Sequence, residues 1–288
     1  MVRPLMLLAL GALATATVAC APADNTASTA APNAAASTAC TKDQLELVTP
    51  GKLTIGTDKP AYEPWFKGDD PSNGQGFESA VAYAVAGEMG FDRDEVQWST
   101  VKFDTAFAPG EKKFDFDVNQ VSITPQRAGA VDFSKGYYTV KQAVVAVKGS
   151  EASGATTLDD LQNVKLGVQV GTTAFSAVQR VVRPSSLPKV YNEQIDAVNA
   201  LKNGQIDALV VDLPTAFYVT AAQVENSAIV GQFNAPGGKP EEFGLVMEKG
   251  SALKSCVDKA VDTLKSKGEL AKIEQQWLGE AAGAPELK

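Results

Sequence analysis

Arg127 follows Ser122 and Thr124 in the segment VNQVSITPQRAGAVDFSKGYY, and those three side chains are the first in the chain whose spacing suggests chemistry. An apolar run ends in small polar residues, Pro125 breaks the strand, and Arg127 comes two positions later. A helix start there leaves backbone N–H groups unpaired beside a guanidinium, and the two together make an anion site. Asp212 carries the opposite charge, at the end of the apolar run Ile206–Val211 and just before Pro214. Asp58 closes the alternating stretch Lys52–Thr57, and Gly171-Thr172-Thr173 follows Val164–Val170 at the opening of a helix. A guanidinium with hydroxyls suits a carboxylate, and a lone Asp suits an ammonium. Those are the two ends of a free amino acid.

Each residue also has a plainer role open to it. Asp212 before Leu-Pro reads as a helix cap. Arg127 could pair on the surface with Asp132 or Glu111. Tyr62, Trp65 and Phe103 would fill a core. One residue at a time, the plainer role wins; taken as a set of strand ends, the site does.

The elements that must position this set alternate strand and helix. Lys52–Thr57, Val96–Val101, Phe114–Ile123, Lys141–Val147, Val164–Val170, Ile206–Val211, Ile229–Phe233 and Phe243–Met247 read as strands. Between them, Phe77–Met89 reads as a helix whose inner face holds Phe77, Val81, Ala84, Val85 and, as its one polar member, Glu88. Further helices are predicted at Phe103–Phe107, after Thr173, over Glu193–Lys202, after Pro214, around Leu253–Leu264 and over Glu269–Trp277. This is an α/β pattern with mostly parallel sheets, in which ligands sit at the carboxyl ends of strands.

Composition narrows the function. The 288 residues carry a formal charge of −8 with no clustered Lys or Arg, which argues against nucleic acid. They include no histidine, which removes the commonest general base, the usual metal ligand and any Ser-His-Asp triad. No metal and no cofactor is expected.

The first residues read as an address. Arg3 precedes an apolar run from Leu5 to Ala19, and Thr17-Val18-Ala19-Cys20 resembles the bacterial lipoprotein signal, with Thr17 in place of the usual Leu. The alternative is an ordinary secretory signal cleaved near Ala19 or Ala21. Ala21–Ala39 offers no apolar side chain larger than Ala and reads as a disordered tether. The expectation is a signal peptide over 1–19, then a lipidated Cys20 and tether over 20–40, anchoring the protein outside the cell membrane. Cys40 and Cys256 remain as an even pair in an oxidising compartment, and a disulfide between them is expected, the alternative being Cys256 packed unpaired in a helix.

The segment VSITPQRAGAVDFSKGYY resembles the signature of the family 3 extracellular solute-binding proteins, the polar amino-acid receptors of ABC importers. The similarity extends over about Gly51–Gly279 through IGTDKPAYEPWF, GFESAVAYAVAGEMGF, LGVQVGTTA, LKNGQIDALVVD and the ending FGLVMEKGSALKSCVDKAVDTLKSKGELAKIEQQWLG. The resemblance implies a two-lobe periplasmic-binding-protein-like fold joined by two crossover strands. Lobe 1 would hold 41–138 and 238–288, and lobe 2 would hold 141–235. It further implies that Arg127 clamps a ligand carboxylate with Ser122 and N–H groups near Thr173, and that Asp212 takes the ammonium. Tyr62 and Phe103 would sandwich the ligand side chain, and Asp58 would read its polar end. Gln120, Gln169 and Thr172 complete the implied ligand-binding set. The loop Lys59-Pro60-Ala61 is one residue longer than the family pattern, and Asn119-Gln120 replaces small residues. Both departures fall at the side-chain end of the pocket, where glutamine, a basic amino acid and glutamate are the candidates in that order. Such a receptor works as a monomer with a membrane permease as its partner.

Two rival readings share the fold. A cleft enzyme, a dehydratase or peptidoglycan lyase, would draw its acid or base from Asp58, Glu63 or Glu78. A sensory module would need a membrane span after Cys20, and the sequence contains no apolar run of that length there.

Overall fold

The computed structural model describes residues 40–279 and 283–288. The expected signal peptide, the lipidated Cys20 and the tether up to Ala39 lie outside the described residues.

Strands β1 (Leu53–Thr57), β2 (Val96–Thr100), β3 (Phe116–Asp117) and β4 (Asp132–Phe133) build the first sheet. The chain then leaves through β5 (Tyr138–Val140) and builds a second sheet from β6 (Gln142–Val147), β7 (Leu166–Gln169), β8 (Lys189–Tyr191), β9 (Ala208–Asp212) and β10 (Ser227–Phe233). It returns through β11 (Glu241–Phe243) into β12 (Val246–Met247). The orders are β2-β1-β3-β12-β4 and β10-β6-β9-β7-β8, with β5 and β11 paired as the crossover. In that crossover Val140 lies opposite Glu241, and Tyr138 opposite Phe243.

The architecture is the expected two-lobe α/β one, with more mixed sheets than the strand pattern suggests. β1 runs parallel to β2 and β3, and β7 parallel to β8 and β9. β12 and β6, the strands that enter each sheet from the crossover, pair antiparallel with their neighbours. A strand that arrives directly from the hinge points against strands that end at the cleft, so the pairing reverses there.

Each sheet carries its own core. The first is filled by Leu53, Ile55, Trp65, Phe77, Phe116 and Phe243 together with Val257 and Val261. The second sheet is packed on its two faces, by Val144, Leu166, Val168 and Val210 on one and by Val145, Leu201, Ile206 and Leu209 on the other. Helix α1 (Phe77–Glu88) buries Phe77, Glu78, Val81, Ala82, Val85 and Ala86. Gly76 precedes it at φ +94°, where a Cβ would meet the Trp65 carbonyl oxygen at 2.5 Å, so only glycine can open the helix this closely on that loop. The expected inner face of α1 needs correction. Glu88 points outward and pairs with Lys267, while the carboxylate inside is Glu78, 0% exposed.

The expected strand Phe114–Ile123 is a regular strand only at β3; Gln120 turns the chain at φ +50°, and beyond that turn Ser122 forms an isolated antiparallel bridge with Phe243. The last residues also lie elsewhere than expected. Gly283–Lys288, assigned above to the first lobe, packs on the second sheet. Gln232 donates its N–H to Pro285 at 2.7 Å, Leu287 donates to Gln232 at 2.9 Å, and Leu287 is buried in the second core. An apolar Leu287 seated beside β10 outweighs the sequence proximity of this tail to the last helix.

Cys40 and Cys256 are joined by a disulfide, which ties the start of the described chain to the helix Lys254–Ser266. Among the described residues no helix is long and apolar enough to cross a membrane.

Candidate functional site

Thr124 caps the helix Pro125–Ala130: its hydroxyl accepts the Arg127 N–H at 3.2 Å, and Pro125 occupies the first turn. This places the Arg127 side chain inward, 7% exposed, at the seam between the lobes. Its Nη1 donates to the Ser122 carbonyl at 2.8 Å, and its Nη2 to the Gly171 carbonyl in the second lobe at 2.8 Å. The guanidinium lies 4.2 Å from the Phe107 ring centroid. Two of five donors are used, which leaves the others for a ligand. Burial lowers its pKa to about 10, against the pull of Glu241 and Asp212, so it stays charged at neutral pH. The surface pairing is excluded for Asp132, which bonds Lys249 instead.

Asp212 ends β9 from the second lobe. It makes no side-chain cap bond to the helix Leu213–Tyr218; instead it accepts Gln142 Nε2 at 2.8 Å. Burial, and next the Glu241 charge, push its carboxyl up to about 8. Ser122 and Thr173 bring their hydroxyls within 3.4 Å of each other from opposite lobes. A cation from one lobe and a carboxyl group from the other therefore line one cavity of about 760 Å³, counting the part open to solvent.

The other end of the cavity is lined by Thr57, Asp58, Tyr62, Phe103, Asn119, Gln120 and Gln194. Asp58 accepts the Lys59 N–H at 2.7 Å and the Phe103 N–H at 3.2 Å; burial lifts its pKa above the usual carboxylate range. Burial also pushes the Tyr62 hydroxyl up to about 12. Thr57 Oγ1, Asn119 Nδ2 and Gln194 Nε2 are buried with no hydrogen-bond partner among the described residues. Buried polar atoms without partners are costly, and a ligand with matching groups removes that cost.

All ten sequence-derived ligand residues line this cavity. They differ in what they offer. Gln169 reaches back to the Asn192 carbonyl at 3.4 Å, and the Thr172 hydroxyl closes its own turn onto the Gln169 carbonyl at 2.8 Å. Lys59 points away and pairs with Asp69 at 3.1 Å. Trp65 belongs to the core, although its Nε1 donates at 3.0 Å to Thr215 across the seam. Gln142, Gln194, Thr57 and Glu241 escaped the sequence reading; only Gln142 gave a signal, as the polar residue opening the apolar run KQAVVAV. The carboxylates weighed for an enzyme do not converge. Asp58 is in the cavity, Glu63 holds the Gly68 N–H at its rim loop, and Glu78 lies beneath the floor bonded to Gln120 and Tyr137. Among the described residues no group of His, Cys, Asp or Glu could hold a metal ion.

Two lobes on a paired crossover, with a guanidinium and a carboxyl group facing each other across the seam, are the parts of a solute receptor. The chain belongs to the bacterial extracellular solute-binding proteins, family 3, whose model matches residues 53–280. It is 28% identical over 232 residues to the L-cystine-binding protein TcyJ of Escherichia coli (strain K12), covering 80% of this chain and 83% of that one. It is 29% identical over 232 residues to the arginine-binding extracellular protein ArtP of Bacillus subtilis, covering 79% and 86%. Its fold is similar to that of an ancestral arginine-binding protein bound to arginine, with a TM-score of 0.66, 31% identity and coverage of 79% and 98%. These relatives are named as binding proteins.

Proposed function

We propose that this protein binds a free L-amino acid with a polar side chain between its lobes and delivers it to an ABC-type import permease, while lipidated Cys20 holds it at the outer face of the cell membrane. The observation that carries the reading is the Arg127–Asp212 pair, a cation and a carboxyl group brought to one cavity from opposite lobes. Arg127 takes the ligand carboxylate with the Ser122 hydroxyl and the backbone N–H groups near Thr173, and Asp212 takes the ammonium. The ligand's two charges then bridge the lobes and favour closure about β5 and β11. The names of the relatives, receptors for cystine and arginine, agree with an amino acid as the solute class.

At the side-chain end, Asn119 Nδ2 and Gln194 Nε2 are donors in want of an acceptor, and Asp58 is the one carboxylate. An amide side chain supplies an acceptor to the first two and donors to the third, so glutamine ranks ahead of a basic amino acid and of glutamate. A thermal-shift screen against free amino acids tests the reading. A ligand at a hundred times its dissociation constant adds about 2.7 kcal/mol of stability. A flat response to every amino acid would overturn it.

A further inference from the structure

Gln142 opens β6, where the chain enters the second lobe; it is 0% exposed and lines the cavity. Its amide nitrogen is taken by two carboxylates, Asp212 Oδ1 at 2.8 Å and Glu241 Oε2 at 2.9 Å. Glu241 belongs to β11, the returning crossover strand, and the same Oε2 also accepts the Thr173 hydroxyl at 2.8 Å. An amide whose N–H₂ is held by two carboxylates has only its oxygen left to offer. That oxygen, Gln142 Oε1, is buried with no partner among the described residues. Arg127 is the cation facing the two carboxylates, and an ammonium carries the donors that Oε1 lacks.

We propose that Gln142 contacts the ligand's ammonium through Oε1 beside Asp212, and that Glu241 is a positioning residue that turns the Gln142 amide that way and fixes the Thr173 hydroxyl. The inference rests on the amino-acid reading above and adds two residues to the head-group clamp. The geometry also gives the crossover a part in recognition. β6 and β11 meet the ligand seat where the chain passes between the lobes, so closure and ammonium binding use the same atoms.

Calorimetric titration of the cognate amino acid from pH 6 to pH 9 tests this, using the unsubstituted protein, Gln142→Leu, Glu241→Gln and the double variant. Each single change should weaken binding at least tenfold where affinity levels off. The double variant should lose less than the two losses combined, because both act through one amide. Glu241→Gln should also move the pH at which affinity levels off downward, since it removes the charge that opposes ionisation of Asp212. The other groups that bear on Asp212 are Arg127, Glu78, Tyr137 and Tyr138, and they are the same in both proteins. Singles within twofold of the unsubstituted protein, additive losses or an unmoved pH dependence would each overturn the proposal. Should Gln142→Leu fail to fold, the affinity and pH dependence of Glu241→Gln decide alone. An unsubstituted protein that gives no heat with any amino acid defeats the receptor reading itself, a different outcome from singles that bind normally.

Discussion

The backbone N–H of Gln120 donates to Glu78 at 2.7 Å, so a fully buried carboxylate of the first helix holds the loop that floors the ligand cavity. The Gln120 side-chain amide and the Tyr137 hydroxyl donate to the same carboxylate. Gln120 sits at φ +50°, a conformation that a non-glycine residue keeps only when its surroundings impose it. Glu78 supplies that constraint. It is a structural acid beneath the site and does not itself line the cavity.

Glu78→Gln should therefore damage both stability and binding. The amide keeps the shape but offers one acceptor where three donors converge, and it adds two hydrogens of its own. Leaving buried donors unpaired costs about 1–3 kcal/mol each. Chemical denaturation should show a loss in that range, and amino-acid affinity should fall because Gln120 is released. A variant as stable as the parent would show that the buried network is slack.

Affinity and stability should respond to pH in opposite senses. Burial raises Glu78 to about 7 and Asp212 to about 8, both above their unfolded-state values. The folded chain without ligand thus binds protons more tightly than the unfolded one. The stability from this source is fully present below about pH 4 and is lost as pH rises through 7 to 8. The melting temperature of the protein alone should fall over that window. A ligand ammonium favours the ionised form of Asp212, so binding near pH 6.5 should release close to one proton. Titrations in two buffers of different ionisation heat measure it, and equal heats would contradict the assignment of Asp212.

Much of the head-group clamp was legible in the chain because its parts sit at strand ends with distinctive neighbours. Ser122, Thr124, Pro125 and Arg127 form one local device, a strand stop and helix start, whose chemistry needs no tertiary information. Gln142 and Glu241 are different. Gln142 meets Asp212 because β6 pairs with β9 at that register, and β11, paired with β5, brings Glu241 to the start of β6 from ninety-nine residues along the chain. Glu78 was hidden for another reason. The helical pattern allowed either Glu78 or Glu88 on the inner face, and the choice depended on where the loop at Trp65 and Gly76 meets α1. The tail was placed by the burial of Leu287 together with backbone bonds between Gln232 and both Pro285 and Leu287, which no periodicity announces.

The Cys40–Cys256 bridge should matter for stability well away from the ligand. It closes a loop with a sequence separation of 216 residues, so it restricts a large part of the unfolded chain. Removing a native bridge of this kind costs about 2–5 kcal/mol. Cys256→Ala, compared with the parent under oxidising conditions, should unfold at lower denaturant with amino-acid affinity unchanged. Loss of affinity would mean that the bridge also shapes the cavity.

Arg127 gives the sharpest test of the head-group clamp. Its fork spans the Ser122 and Gly171 carbonyls, one in each lobe, while its plane lies on Phe107. Lysine keeps the charge but cannot make both bonds or stack in the same way. Arg127→Lys should consequently bind the cognate amino acid measurably but more weakly. Arg127→Ala leaves the ligand carboxylate buried without a cation, beside Asp212 and Glu241, at a cost of about 3–5 kcal/mol. Calorimetry should then find affinity lost by a hundredfold or more, with lysine between alanine and arginine. If alanine bound as well as arginine, the carboxylate would have to lie elsewhere in the cavity.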